Sequence, residues 1–146
     1  MIEDKIYDKL SKSDDIMSNL INKWGKLTLR PSDNLFEFVV RGIIEQMLSI
    51  KAAKVIFDRL LVLVGDITPE NILKLSPEKI KSIGTSWNKA TYIIEFSKSV
   101  IQGQIDLSKL KELSDNDLIE RLVSIKGVGL WTAEMIACFG LGRLNI

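Results

Sequence analysis

The stretch "SIKGVGLWTAEMIACFGLGR", Ser124–Arg143, holds the residues best spaced to do chemistry. Gly127 and Gly129 bracket Val128 in a turn expected at 125–129, where glycine lets a backbone adopt positive φ and lets a ligand come close. The amides of Val128, Gly129 and Leu130 then open a helix. Unpaired amides at a helix start, with the dipole behind them, suit an anion such as a phosphate, and Lys126 adds a positive charge. Read alone, the GxG pattern is short and common and favours a tight helix–helix turn over an anion site. Trp131 follows at once, with Met135 one turn further on. An indole opening an amphipathic helix is either a core residue or the wall of a pocket.

The rest of the composition narrows the chemistry. The 146 residues contain no histidine and one cysteine, Cys138. Histidine bases, histidine metal sites, Cys-His or Ser-His catalysis and an internal disulfide are excluded. Any catalysis falls to carboxylates, lysine, tyrosine or backbone groups. With 20 basic and 19 acidic residues, net charge is +1, so a nucleic-acid footprint must be local. The start, "MIEDKIYDKL", is too charged for a signal peptide, and the longest apolar run, Leu60–Val64, is far too short for a bilayer. The expectation is a cytoplasmic protein with no membrane partner.

The elements that would position these residues read as helices throughout. In "SDDIMSNLINKWG", Ser13 or Asp14 caps, Ile16, Met17, Leu20, Ile21 and Trp24 share a face, and Gly25 ends the run. After the linker "LTLRPSDN", Asp33 or Asn34 caps one long helix, "LFEFVVRGIIEQMLSI", followed by "KAAKVIFDRLLVLVG". Thr68-Pro69 and Ser76-Pro77 each pair a hydroxyl cap with proline at the first helical position, opening helices that end near Leu75 and Gly84. Further helices run from Ser86 to Gly103, after Ser114, and from Leu130 to about Gly140. Isoleucine and valine recur every three or four positions rather than every two. The fold class is all-α.

Three blocks in this order give the chain a family resemblance: "LFEFVVRGIIEQMLSIKAAKVI", "IGTSWNKATYIIEFSKSVIQGQIDL" and "LIERLVSIKGVGLWTAEMIACFGLGR". From about Asp14 onward it resembles the helix–hairpin–helix DNA glycosylases, in the branch that excises 3-methyladenine and other alkylated bases. Lys126 departs from a usual proline and Glu45 from a usual glycine. The resemblance implies a central helical lobe over 31–146, with residues 1–30 as the N-terminal helices of a second, incomplete lobe.

It also implies roles. Double-stranded DNA containing alkylated bases is the implied partner, held at a phosphate by Lys126, Gly127, Val128, Gly129 and Leu130. Trp131 and Met135 line the base pocket; an alkylated purine is cationic, and an aromatic face attracts a cation. Gln46 and Met47 match the wedge that fills the gap left by the flipped base. By helical period alone, Met47 reads equally as core. Strand-cutting relatives carry lysine where Trp131 stands, so hydrolysis without lyase chemistry is implied. No organic cofactor is expected. A monovalent cation held by the main-chain carbonyls of Val123, Ile125 and Val128 is possible within the family.

The family's catalytic aspartate is expected just past Ile146, so no catalytic residue is expected in this chain, which alone is expected to be inactive. Glu134 is the nearest acid on the last helix and is given no role. Two alternatives stand beside the enzyme: a non-catalytic helix–hairpin–helix DNA-binding module, and an all-α protein-interaction domain. The 13–25 helix would carry its apolar stripe into a homodimer or fold it back onto the central lobe.

Overall fold

The computed structural model describes residues 2–26, 30–144 and 146. Helices follow one another in the order α1 (Ile2–Ser13), α2 (Asp15–Trp24), α3 (Leu35–Glu45), α4 (Ile50–Val64), α5 (Pro69–Leu73), α6 (Pro77–Ser82), α7 (Trp87–Ile101), α8 (Asp115–Val123) and α9 (Leu130–Met135). A 3-10 turn, Lys109–Glu112, precedes α8, and a π turn, Ile136–Gly140, continues α9. Among the described residues there is no strand.

Local chemistry sets the helix starts. Asp14, Asn34, Ser49, Thr68, Ser76, Ser86 and Ser114 each accept from the amide three residues on. Each such cap satisfies a donor that has no intrahelical partner and contributes about 1 kcal/mol. Asp14 and Asn34 are thus the caps, rather than Ser13 and Asp33. The two proline-opened helices end at Leu73 and Ser82, slightly earlier than expected.

Helix α3 is the axis of the core. Its Val39, Val40, Ile43 and Ile44 have no exposed surface. It packs on α4, α7 and the π turn, while α5 and α6 cover α7 and α8 packs on α9. Phe36 stacks on Phe96 of α7, with ring centroids 5.1 Å apart and planes 10° from parallel. Each large side chain buried in this way contributes about 1.5–3 kcal/mol. Arg143 pins the far end. Its guanidinium donates to the carbonyls of Lys111 and Leu113 at 2.9 and 2.7 Å and faces the Asp115 carboxylate at 3.2 Å.

Two expectations are corrected here. The run "LFEFVVRGIIEQMLSI" is not one helix: α3 stops at Glu45, and α4 begins only after the Ser49 cap. The stripe on α2 does not fold back onto the central lobe. Met17 and Ile21 are half-buried as α2 packs on α1, but Ile16, Leu20 and Trp24 face water, Trp24 being 76% exposed.

Candidate DNA-binding and base-pocket site

The break after α3 makes the first part of the site. A helix end leaves carbonyls without partners. Here the ammonium of Lys89, in the first turn of α7, donates to the carbonyls of Ile44 and Gln46 at 2.9 and 2.5 Å. The Glu45 carbonyl accepts from the Leu48 amide at 3.1 Å. Burial pushes the Lys89 pKa below its ordinary value. With all three carbonyls claimed, the chain turns sharply, and Met47 takes φ +56°. A side chain rarely occupies that region and does so at a cost of about 1–2 kcal/mol. Met47 is fully exposed, so it is not core.

Gln46 does something else. Its Nε2 donates to the Gly127 carbonyl at 2.8 Å and to Thr132 Oγ1 at 3.3 Å. The amide is turned into the protein, bracing the α3 turn against the hairpin. Of the expected wedge pair, only Met47 projects.

The hairpin is the second part. Gly127 has φ +87°, and a Cβ there would stand 2.2 Å from the Tyr92 ring. Glycine is required by the packing of α7 as much as by the turn. Gly129 differs from expectation: its φ is −85°, and a Cβ there would meet nothing within 4 Å. It lies on open surface as the N-cap of α9, with no side-chain cap. The amides of Gly129, Leu130 and Trp131 donate to no group among the described residues.

Two members of the expected phosphate set are otherwise engaged. The Val128 amide donates to the Ile125 carbonyl at 2.9 Å to close the turn, and its side chain is buried. The Lys126 ammonium reaches Glu95 at 3.0 Å. The amides left for an anion are those of Gly129, Leu130 and Trp131. Among the described residues, no amide donates to the carbonyls of Val123 or Val128, and Ile125 keeps one lone pair of its carbonyl.

The third part is a pocket of about 230 Å³ between α3 and α9. Trp131, Met135, Thr132 and Ile136 line it from one side; Phe38, Arg41, Gly42, Glu45, Gln46, Met47 and Leu48 line it from the other. Trp131 is 68% exposed at its mouth, so it too is not core. The Arg41 guanidinium lies over the Phe57 ring, 4.6 Å from its centroid, and its Nε sits 3.4 Å from Glu45. Glu134 does not line the pocket. A larger, more open depression of about 560 Å³ beside α8 contains none of the residues expected to bind DNA, a base or a cation.

The pocket, the turn and the hairpin thus join residues drawn from opposite ends of the chain. Lys89, Tyr92 and Thr132 position them; all three fall within the blocks that carry the resemblance, but the sequence reading gave none of them a role. No helix of the described residues is long and apolar enough to cross a membrane.

Comparison with known proteins gives the family. Residues 40–143 match the family model described as "HhH-GPD superfamily base excision DNA repair protein". DNA-3-methyladenine glycosylase 1 of Schizosaccharomyces pombe is 32% identical over 99% of this chain and 69% of its own length. Two solved structures superpose closely. A DNA-3-methyladenine glycosidase from Bacillus halodurans has TM-score 0.82 and 36% identity, over 96% of this chain and 66% of that one. A 3-methyladenine DNA glycosylase of the same fission yeast, in complex with abasic DNA, has TM-score 0.82 and 32% identity, over 97% of this chain and 72% of that one. The chain spans between 42% and 69% of the length of the curated relatives it matches. The chain belongs to the HhH-GPD superfamily of base excision DNA repair proteins.

Proposed function

We propose that this chain grips duplex DNA through the hairpin and the α9 N-terminus, inserts Met47 into the base stack, and takes an extruded alkylated base against Trp131 and Met135. The observation that carries this reading is spatial. An exposed methionine on a strained turn, an exposed indole and a set of open amides adjoin one pocket, joined through Gln46. Extruding a base costs a few kcal/mol, least for a damaged base, and an inserted apolar side chain offsets part of it. A cationic base over an indole gains about 0.5–2 kcal/mol.

The reaction served is hydrolysis of the N-glycosidic bond of a 3-methyladenine-type lesion. Water attacks C1′ and releases a proton to solvent, and the base leaves with the bonding pair, losing its positive charge. Trp131 stands where an amine nucleophile would be needed for strand cleavage. The oxocarbenium-like transition state requires a carboxylate. Among the described residues, Glu45 is the carboxylate lining the pocket, and Arg41 already faces it. Residues 1–146 on their own are therefore expected to bind without releasing base. A monovalent cation on the carbonyls of Val123, Ile125 and Val128 would polarise the hairpin amides toward phosphate. The open α2 face, Ile16, Leu20 and Trp24, is the surface through which a second copy would associate; light scattering over a concentration series tests that.

The test of the main reading is fluorescence anisotropy with undamaged and methylated duplexes, alongside a base-release assay. Tighter binding of the methylated duplex, weakening with salt, without base release, is expected. Trp131→Ala should remove the preference. Equal affinity for both duplexes, unmoved by Trp131→Ala, would overturn it.

A further inference from the structure

The base pocket contains a charge that stacking does not need. Trp131 offers an aromatic face, and every base has a π-face, so stacking on an indole discriminates weakly among bases. The wall opposite is different. Glu45 sits in the last turn of α3 and lines the same pocket as Trp131 and Met135.

Three facts set its state. Among the described residues its charged partner is Arg41, one turn earlier, through a single long contact of 3.4 Å. The Arg41 guanidinium also lies over the Phe57 ring, 4.6 Å from its centroid. Gln46, the next polar side chain in the wall, has its amide group turned to Gly127 and Thr132. Glu45 therefore keeps unfilled acceptor capacity in a pocket wall that also carries Arg41, Gln46 and Thr132 among its apolar and aromatic groups.

We infer that Glu45 is a specificity-determining residue: its carboxylate is the counter-charge that makes the pocket prefer a positively charged purine over a neutral one of the same shape. This rests on the proposal that the pocket receives an extruded base. A purine methylated at N3 or N7 carries a positive charge while attached to its sugar, and its neutral counterpart does not. Stacking treats the two nearly alike; a carboxylate does not. Because Glu45 is about half exposed, solvent screens the attraction, and a modest effect follows: about three- to fivefold in affinity.

The experiment compares two duplexes that differ only in charge at one base. One carries 7-methylguanine, stabilised by a 2′-fluorine, at mildly acidic pH, where the base is cationic. The other carries 7-deaza-7-methylguanine, a neutral base of the same outline. The readout is the ratio of their dissociation constants for the full chain. A ratio isolates the pocket, because the repulsion between Glu45 and DNA phosphates acts on both duplexes equally. Wild type should favour the cationic duplex about three- to fivefold, Glu45→Gln should bring the ratio close to one, and Glu45→Asp should retain part of the preference. A ratio unchanged by Glu45→Gln overturns the inference, as does a wild-type ratio of one. Trp131→Ala separates this from failure of the pocket itself. If it weakens both duplexes while Glu45→Gln leaves the ratio alone, the pocket stands and the Glu45 role falls; if it weakens neither, both fall.

Discussion

The side-chain amide of Gln46 donates to the carbonyl of Gly127 at 2.8 Å, a bond spanning 81 positions of the chain. It ties the turn that carries Met47 to the hairpin that carries the open amides. Substituting Gln46→Leu leaves the Gly127 carbonyl and the Thr132 hydroxyl without this partner. A part-buried group so orphaned costs about 1–3 kcal/mol. Urea denaturation should show that loss, and anisotropy should show DNA affinity falling further than stability accounts for. A fully stable variant with unchanged DNA affinity would show that the brace has no role.

Met47 is held at φ +56° against its own preference. Met47→Gly should relieve the strain and stabilise the protein by about 1 kcal/mol. The same change removes the side chain proposed to enter the stack, so binding to methylated DNA should weaken. Opposite signs in thermal melting and in DNA affinity are the signature expected; a loss in both measurements would place Met47 in a supporting role.

Gly127 and Gly129 should behave differently. At Gly127 a Cβ would lie 2.2 Å from Tyr92 in a positive-φ turn, so Gly127→Val should destabilise by about 2 kcal/mol or more. At Gly129 nothing stands within 4 Å, so Gly129→Ala should melt within about 0.5 kcal/mol of wild type. Its methyl group would stand at the open amides and should reduce DNA affinity. A folded Gly129→Ala protein that binds DNA normally would count against the phosphate grip.

Lys89 carries a prediction with a pH dependence. Lys89→Met leaves the carbonyls of Ile44 and Gln46 unclaimed and should cost about 1–3 kcal/mol. Burial lowers the pKa of Lys89 in the folded protein. The unfolded chain therefore holds that proton more firmly, and this group's contribution to stability rises as pH climbs through the folded pKa toward the usual lysine value of about 10.4. Wild type should gain stability relative to Lys89→Met over that alkaline window. A constant difference between the two proteins would contradict the assignment.

The helix starts were legible because a cap is local: Ser86, Ser114, Thr68 and Ser76 satisfy amides three residues away. The break at Met47 was not. The apolar period runs on through Met47 and Ile50, and the helix is stopped by Lys89, whose bond to the Gln46 carbonyl spans 43 positions. The pairing of Lys126 with Glu95 and the Tyr92 contact at Gly127 are tertiary in the same way. The family resemblance pointed to Trp131, Met135, Gln46 and Met47, and all four line the pocket. It could not show that Gln46 turns inward, because that depends on where Gly127 and Thr132 lie after folding.

The most direct measurement uses Trp131 as its own reporter. The chain has three tryptophans, and Trp24→Phe with Trp87→Phe leaves Trp131 as the sole indole. It starts largely exposed, so its emission should be that of a solvated indole. Titration with a methylated duplex should quench and shift that emission as the extruded base stacks on it, and undamaged duplex should do so far less. Met47→Ala should diminish the response. Binding of the methylated duplex with Trp131 emission unchanged, or identical quenching by undamaged DNA, would contradict the claim that this pocket receives a damaged base.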